Sequence, residues 1–176
     1  ESSPVKLRLN PILASSDDNT TASKLKILVV DDSPSIVKMT VRTLQKLGYD
    51  IDTAENGEVA VRMVEKQWKE NQTKYDIVLM DLQMPVMDGL EATRRIRAMQ
   101  QPSQSEENDL VSITSSSIEV KILPYQHIIG LSANSDYDTT EAAFKAGIDW
   151  FMAKPFKIET FQDTMYQLGL KSVISK

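Results

Sequence analysis

Short apolar runs alternate with segments of helical periodicity along this chain, and that alternation limits the possible folds more than any other feature. The first run, Ile27–Val30, is wholly apolar and rich in β-branched residues, as in a strand that is covered on both faces. Ser33 then offers a helix N-cap, Pro34 suits the first helical position and Gly48 suits a left-handed stop. Apolar residues follow at near-helical spacing between them: Ile36, Met39, Leu44 and Leu47.

The same unit recurs along the rest of the chain. Further strands are predicted at Tyr49–Ala54, Tyr75–Met80, His127–Leu131 and Asp149–Ala153. Helices are predicted at Gly57–Trp68, from an Asp88/Glu91 capping box to about Met99, at Asp136–Ala146 with Gly147 as cap, and around Ile158, Phe161, Met165 and Leu168. Such alternation predicts an α/β fold with a doubly wound parallel sheet. Ligands of such sheets bind at the carboxyl ends of the strands.

Two stretches depart from this rhythm. Residues 1–24 are rich in Ser, Thr, Asn and Asp, which favours a linker or flexible tail, although Val5, Leu7 and Leu9 alternate with polar residues as in a strand. Residues 101–124 form a connection much longer than is usual in such folds. This insertion is interpreted either as disordered or as a β-hairpin of 110–113 with 118–122, and the hairpin lacks a typical turn sequence.

Composition excludes several classes of protein. The 176 residues include no cysteine, so disulfides and thiolate metal sites are excluded. The net charge of −5 argues against nucleic-acid binding, which needs clustered Lys and Arg. No apolar run approaches the roughly 20 residues that cross a bilayer, and no signal peptide is evident, which predicts a cytoplasmic domain without membrane contact. Because the first residue is Glu1, the chain is expected to be a piece of a longer protein.

Acidic residues follow two of the buried strands. Asp31 and Asp32 end the first strand, and Asp81 ends the third. A parallel sheet brings such residues to one edge, where three like charges are unfavourable without a positive partner. A hard divalent cation with oxygen ligands, Mg²⁺ or otherwise Mn²⁺, would supply that charge. Lys154 after the fifth strand would add a second positive charge, and Ser132 at the end of the fourth a hydroxyl donor.

Four sequence motifs resemble those of response-regulator receiver domains, the CheY-like modules, in the form attached to hybrid histidine kinases. They are Val29-Val30-Asp31-Asp32, Met80-Asp81-Leu82-Gln83-Met84-Pro85-Val86-Met87-Asp88-Gly89, Leu131-Ser132-Ala133 and Lys154-Pro155-Phe156. Their order and spacing match from about Lys26 to Leu170, apart from the insertion. The resemblance implies a five-stranded flavodoxin-like fold over residues 25–176, with helices on both faces of the sheet.

The resemblance also implies a role for each site residue. Asp81 would be the phosphoacceptor, and Lys154 would neutralise the transferring phosphoryl group. Asp32, Asp81 and the backbone carbonyl of Gln83 would bind the metal directly, and Asp31 largely through water. Ser132 would donate to the phosphoryl oxygen. The donor would be a histidine kinase or a histidine phosphotransfer protein.

Two further features follow from the resemblance. Phe151 would be the switch aromatic, with a purely steric signal because it lacks a hydroxyl. Pro155 would follow a cis peptide bond. The only histidine, His127, is interpreted as structural.

Three other functions compete with this interpretation. A haloacid-dehalogenase-type phosphatase needs a second acid two residues after its nucleophile, where Gln83 stands. A nucleotide-binding protein needs a glycine-rich phosphate loop, which this sequence lacks. A pseudo-receiver that acts only as an interaction module remains the alternative. The chain is not expected to be a conventional enzyme by itself, since a receiver catalyses only its own phosphorylation and dephosphorylation.

Overall fold

The computed structural model describes residues 24–101, 124–133 and 136–170. Its strands are β1 (Lys26–Val30), β2 (Asp50–Ala54), β3 (Ile77–Asp81), β4 (Ile128–Ser132) and β5 (Trp150–Ala153). Its helices are α1 (Pro34–Lys46), α2 (Gly57–Asn71), α3 (Gly89–Met99), α4 (Tyr137–Ala146) and α5 (Ile158–Gln167). Each strand and helix predicted within these ranges is present, and most boundaries move by a residue or two.

The five strands form one parallel sheet in the order β2-β1-β3-β4-β5. The predicted doubly wound parallel sheet is therefore confirmed. Because all strands run the same way, their carboxyl ends share one edge, where Val30 pairs with Met80 and Asp81 with Leu131. β2 and β5 are the two edge strands.

Local signals explain where several helices begin and end. The side chains of Asn56, Asp88 and Asp136 accept hydrogen bonds from the backbone N–H three residues later, at the starts of α2, α3 and α4. Gly147 closes α4 with a φ of 101°, a conformation that glycine adopts without strain. The predicted capping box of α3 is only half formed, since the Glu91 carboxylate pairs with arginines of its own helix.

Apolar residues fill a layer on each face of the sheet. One layer packs the sheet against α2, α3 and α4, through residues such as Val64, Ile96 and Ala143. The other packs it against α1 and α5, through Leu44 and Phe161 among others. Burial on both faces explains why the strands are continuous apolar runs instead of alternating ones.

The apolar spacing of α1 predicted its buried face only in part. Leu44 is fully buried, but Ile36 is 36% exposed and Met39 is 57% exposed. The buried stripe instead runs through Thr40 and Leu44, which are one helical turn apart. Ile36 and Met39 therefore lie beside the contact with the sheet and form part of the surface.

A polar cluster joins the amino ends of the first three strands. The Tyr75 hydroxyl donates to Asp52 Oδ2 over 2.8 Å, and Lys26 Nζ lies 3.0 Å from the same oxygen. Burial and the Asp52 carboxylate raise the pKa of Tyr75, so the hydroxyl keeps its proton. The cluster fixes the edge strand β2 to the rest of the sheet.

The predictions for the tail at 1–23 and the insertion at 102–123 lie outside the described residues. Within the described ranges, none of the helices has the length and apolar character to cross a bilayer.

Candidate functional site

Lys154 and two carboxylates meet at the carboxyl edge of the sheet. Lys154 Nζ lies 2.6 Å from Asp31 Oδ2 and 2.7 Å from Asp81 Oδ2. Asp31 follows β1, Asp81 ends β3 and Lys154 follows β5, so the lysine reaches across β4 to the middle of the sheet. The peptide bond from Lys154 to Pro155 is cis, as predicted.

Asp32 adds a third carboxylate to this group. Ligand oxygens of Asp31, Asp32 and Asp81 all lie within 4.8 Å of one another. Asp31 and Asp81 are buried, whereas Asp32 is exposed. Oxygen donors of this kind are those that Mg²⁺ prefers, and the open side at Asp32 leaves room for water ligands. The three residues thus fit a magnesium ion.

Backbone N–H groups hold the two buried carboxylates in place. Ser33 N donates to Asp31 Oδ1 over 2.8 Å, and Gln83 N donates to Asp81 Oδ1 over 3.1 Å. Each donor lies two residues after its acceptor, the spacing of an Asx turn. The chain direction after each strand therefore fixes the orientation of its carboxylate.

Burial and the Lys154–carboxylate contacts have opposing effects on the pKa values of Asp81 and Lys154. Burial, assisted by the charge of Asp31, raises the pKa of Asp81, although Lys154 and the Gln83 N–H oppose the shift. Burial acts to lower the pKa of Lys154, but its hydrogen bonds to Asp31 and Asp81 outweigh this, and the pKa is raised. Lys154 accordingly remains a cation beside the Asp81 carboxylate.

Ser132 and Phe151 lie on the two strands beyond Asp81. Ser132 ends β4 and is buried, and its carbonyl oxygen accepts from Lys154 N over 2.8 Å. Phe151 pairs with Gly130 in the sheet and is half-buried against the core layer of α2 to α4. The Phe151 side chain thus lies on the face of the sheet that α4 covers.

Gly89 is a site residue to which sequence reasoning gave no role. A Cβ at Gly89 would lie 2.1 Å from the carbonyl oxygen of Asp81 and 2.9 Å from Leu82 Cα. Gly89 N also donates to Leu82 O over 3.2 Å. α3 therefore begins in direct contact with the end of β3, an approach that only glycine allows. The Asp-Gly pair after the third strand was the available signal.

An apolar groove opens beside the carboxylates. Its lining includes Ile36 and Met39 of α1 together with Phe156 after β5, and it reaches Asp31 and Lys154. The exposed apolar residues of α1 thus border the acidic group.

His127 lies apart from this site. It precedes β4, and its ring meets that of Tyr125 edge-on at a centroid distance of 5.4 Å. Among the described residues, the group of potential metal ligands contains Asp31, Asp32 and Asp81 but not His127.

Comparisons with known proteins agree with these features. The sequence model of a family described as the response regulator receiver domain matches residues 27–121. Probable histidine kinase 1 of Oryza sativa subsp. indica is 31% identical over 160 residues, which is 84% of this chain but 16% of that protein. Hybrid signal transduction histidine kinase B of Dictyostelium discoideum is 37% identical over 132 residues, or 75% of this chain and 6% of that protein. The chain thus spans about a sixth or less of the length of these relatives.

A solved structure extends the comparison. The receiver domain of a sensor histidine kinase from Pseudomonas aeruginosa, with a magnesium ion coordinated in its active-site cleft, is 30% identical with a TM-score of 0.59. The alignment covers 82% of this chain and 97% of that one.

Proposed function

Because this chain belongs to the response regulator receiver domain family, the receiver modules of two-component signalling, we propose that Asp81 accepts a phosphoryl group from phosphohistidine. The observation that carries the proposal is the contact of Lys154 Nζ with Asp81 Oδ2 at 2.7 Å. It provides a buried nucleophile with a fixed cation beside it, which is what phosphoryl transfer requires of a protein.

In the proposed reaction, a carboxylate oxygen of Asp81 forms a bond to phosphorus as the bond from phosphorus to the donor's imidazole nitrogen breaks. The imidazole keeps the electron pair and takes up a proton, and an acyl phosphate remains on Asp81. The Lys154 cation offsets charge on the phosphoryl oxygens as they approach the Asp31 and Asp81 carboxylates.

The carboxylates would hold Mg²⁺, or in its place Mn²⁺. Asp32, Asp81 and the backbone carbonyl of Gln83 would be direct ligands, and Asp31 would act largely through water. The mutual approach of the three carboxylates supports this assignment, as does the magnesium in the related receiver from Pseudomonas aeruginosa. When bound, the ion supplies positive charge to the phosphoryl oxygens.

Ser132 and Phe151 would convert phosphorylation into a change of surface. The Ser132 hydroxyl would donate to the new phosphoryl oxygens and move toward Asp81. Phe151 would then rotate into the space vacated beneath α4. The position of Phe151 against the core layer that α4 shares supports this pathway, which amounts to a shift between two populated states.

The phosphodonor would be the histidine-bearing domain of a kinase or of a phosphotransfer protein, docked over the groove at α1. Exposed Ile36 and Met39 border Lys154 there, so an apolar partner surface would bring its histidine close to Asp81. The relatives suggest that the chain is part of a hybrid histidine kinase, with the receiver in the cytoplasm, where such a kinase has access to ATP.

The test is acyl-phosphate formation with acetyl phosphate and Mg²⁺, read by intact-protein mass. The wild-type chain should gain one phosphoryl group, and Asp81→Asn should gain none because its amide is not a nucleophile. Asp136→Asn is the matched control, since Asn is an equally good N-cap for α4, and it should be labelled normally. Labelling of Asp81→Asn would refute the assignment, and an unlabelled wild type would favour a pseudo-receiver.

A further inference from the structure

Arg97 joins three separate parts of the chain at the amino edge of the sheet. Its Nε donates to Gly147 O over 2.8 Å, its Nη1 to Gln126 O over 2.7 Å, and its Nη2 to Asp149 Oδ2 over 2.9 Å. These partners lie in the α4–β5 turn and just before β4. The side chain of Arg97 is only 15% exposed, so the guanidinium forms these bonds in largely desolvated surroundings, where charge-assisted bonds are strongest.

Asp149 completes the same cluster. Its Oδ2 also accepts from Ile128 N over 2.7 Å, and its Oδ1 accepts from the Tyr125 hydroxyl. The Tyr125 ring lies 4.6 Å from the Arg97 guanidinium carbon, a cation–π contact. Asp149, which directly precedes β5, is thus bound by residues of α3, of β4 and of the segment before β4.

Gly147 packs directly on the Arg97 stem. A Cβ there would lie 2.8 Å from Arg97 Cγ. The carboxyl end of α4 is therefore held both by the hydrogen bond from the Arg97 side chain to the Gly147 carbonyl and by close packing.

The opposite end of α4 is bound differently. Asp136 accepts from Thr139 N over 2.8 Å, a contact within the helix itself, and Tyr137 is 78% exposed. Among the described residues, the contacts at the end of α4 that follows Ser132 are local, whereas the end that leads into Phe151 is fixed by Arg97.

We propose that Arg97 is a positioning residue of the switch, which fixes the α4–β5 turn as a pivot. Phosphorylation would then move α4 mainly at its amino end, and Phe151 would rotate on a strand whose start stays in place. The inference rests on the proposed function, because phosphorylation of Asp81 is the source of the movement. The Arg97 cluster, which lies at the edge of the sheet opposite the carboxylates, would thus take part in the switch.

The test uses amide chemical shifts of the whole chain, with and without beryllofluoride and Mg²⁺ as a phosphoryl mimic. In the wild type, residues 137–140 should change strongly and residues 146–149 weakly. Arg97→Lys keeps the charge but loses the fork that reaches Gly147, Gln126 and Asp149 as well as the nearby Gln100. Large changes should therefore extend to Gly147 and Asp149. Arg95→Lys is the matched control, because Arg95 is on the same helix but is exposed and pairs with Glu91, and it should behave as the wild type.

Tyr125→Phe provides a second variant that removes a single hydrogen bond to Asp149 and keeps the ring. Tyr125→Phe should increase the chemical-shift changes at Asp149, but less than Arg97→Lys does. Tyr137→Phe, at an exposed position, should not increase them.

Equal changes at both ends of α4 in the wild type would overturn the inference while leaving phosphorylation intact, and so would an Arg97→Lys pattern identical to the wild type. Absence of any change around Asp81 in the wild type would instead remove the proposed function, and the pivot with it.

Discussion

Lys154 Nζ lies 2.7 Å from Asp81 Oδ2, so the carboxylate at the end of the central strand has a cation fixed beside it. The same nitrogen contacts Asp31 Oδ2 at 2.6 Å. One lysine therefore partly neutralises two buried carboxylates, and a metal ion would have to neutralise the remaining negative charge.

Replacing Lys154 by Met should distinguish the contribution of the lysine charge from that of the metal ion. Phosphorylation of Asp81 by acetyl phosphate should slow by ~10²–10³-fold, the usual cost of losing one electrostatic contact in a transition state. Binding of Mg²⁺ should persist, and its stabilising effect should grow because the carboxylates lose their other partner. Phosphorylation kinetics and melting curves at several Mg²⁺ concentrations would measure both effects. Lys157→Met, an exposed neighbour, is the control, and unchanged kinetics in Lys154→Met would contradict the role given to this lysine.

Magnesium should stabilise the folded chain. At a concentration 100 times its Kd, a ligand that binds only the folded state adds about 2.7 kcal/mol to the free energy of unfolding. Asp32→Ala should abolish the increase in melting temperature, because Asp32 is the open carboxylate of the group. Glu55→Ala, another exposed acid of the same edge, should retain it. A melting temperature that ignores millimolar Mg²⁺ in the wild type would count against the metal site.

The groove at α1 predicts that protein donors and small donors respond differently to one substitution. Met39→Glu should slow transfer from a phosphorylated histidine protein by about tenfold, equivalent to about 1.4 kcal/mol of lost binding. Labelling by acetyl phosphate should change much less, since this small donor needs no docking surface. Tyr166→Glu is the control, because it introduces the same charge at an exposed position of α5. Equal slowing with both kinds of donor would show that the substitution disturbs the site and not the docking.

His127 should make the fold sensitive to mild acid. Burial lowers the pKa of His127 in the folded chain, and the charges of Lys74 and Arg97 act in the same direction. The carboxylates of Asp149 and Asp76 oppose this shift without reversing it. The unfolded chain therefore takes up this proton first, at a pKa near 6.5. The contribution of His127 to stability is complete above about that pH and is lost as the pH falls toward its lower folded value.

Urea unfolding at pH values of about 7.5 and 5.5 would test this, because carboxylates with ordinary pKa values titrate mainly below that range. The wild type should lose stability between the two, and His127→Gln should lose less. An identical loss in the two proteins would assign the acid sensitivity to other groups.

The fold and most of the site could be read from local signals. The alternating order of elements could be predicted because its signals lie in residues close together in the chain. These signals are the apolar runs of the buried strands, helix caps such as Asp88 and helix stops such as Gly147. Asp31 and Asp81 could be placed at one edge because parallel strands share their carboxyl ends. The face of α1 was harder, since Ile36 and Met39 fit a helical period but the period alone does not say which side meets the sheet.

The Arg97 cluster had no local signal. Its contacts join residues that are 50, 29 and 52 positions apart in the chain, and nothing near Arg97 distinguishes it from Arg94 or Arg95. Gly89 lay within a recognised motif, but the sequence does not show why the position requires glycine. The packing of α3 does, because a side chain there would clash with the carbonyl of Asp81.

The two edges of the sheet differ in their suitability for pairing with another chain. β2 carries Asp50 and Asp52, whereas β5 consists of Trp150, Phe151, Met152 and Ala153 and has no charge. A charged edge strand is a poor template for an incoming strand, and an uncharged apolar one is a good template. Edge-to-edge association, and aggregation at high concentration, would therefore start at β5, so a charge introduced at Trp150 would protect the protein in storage more than any change to β2.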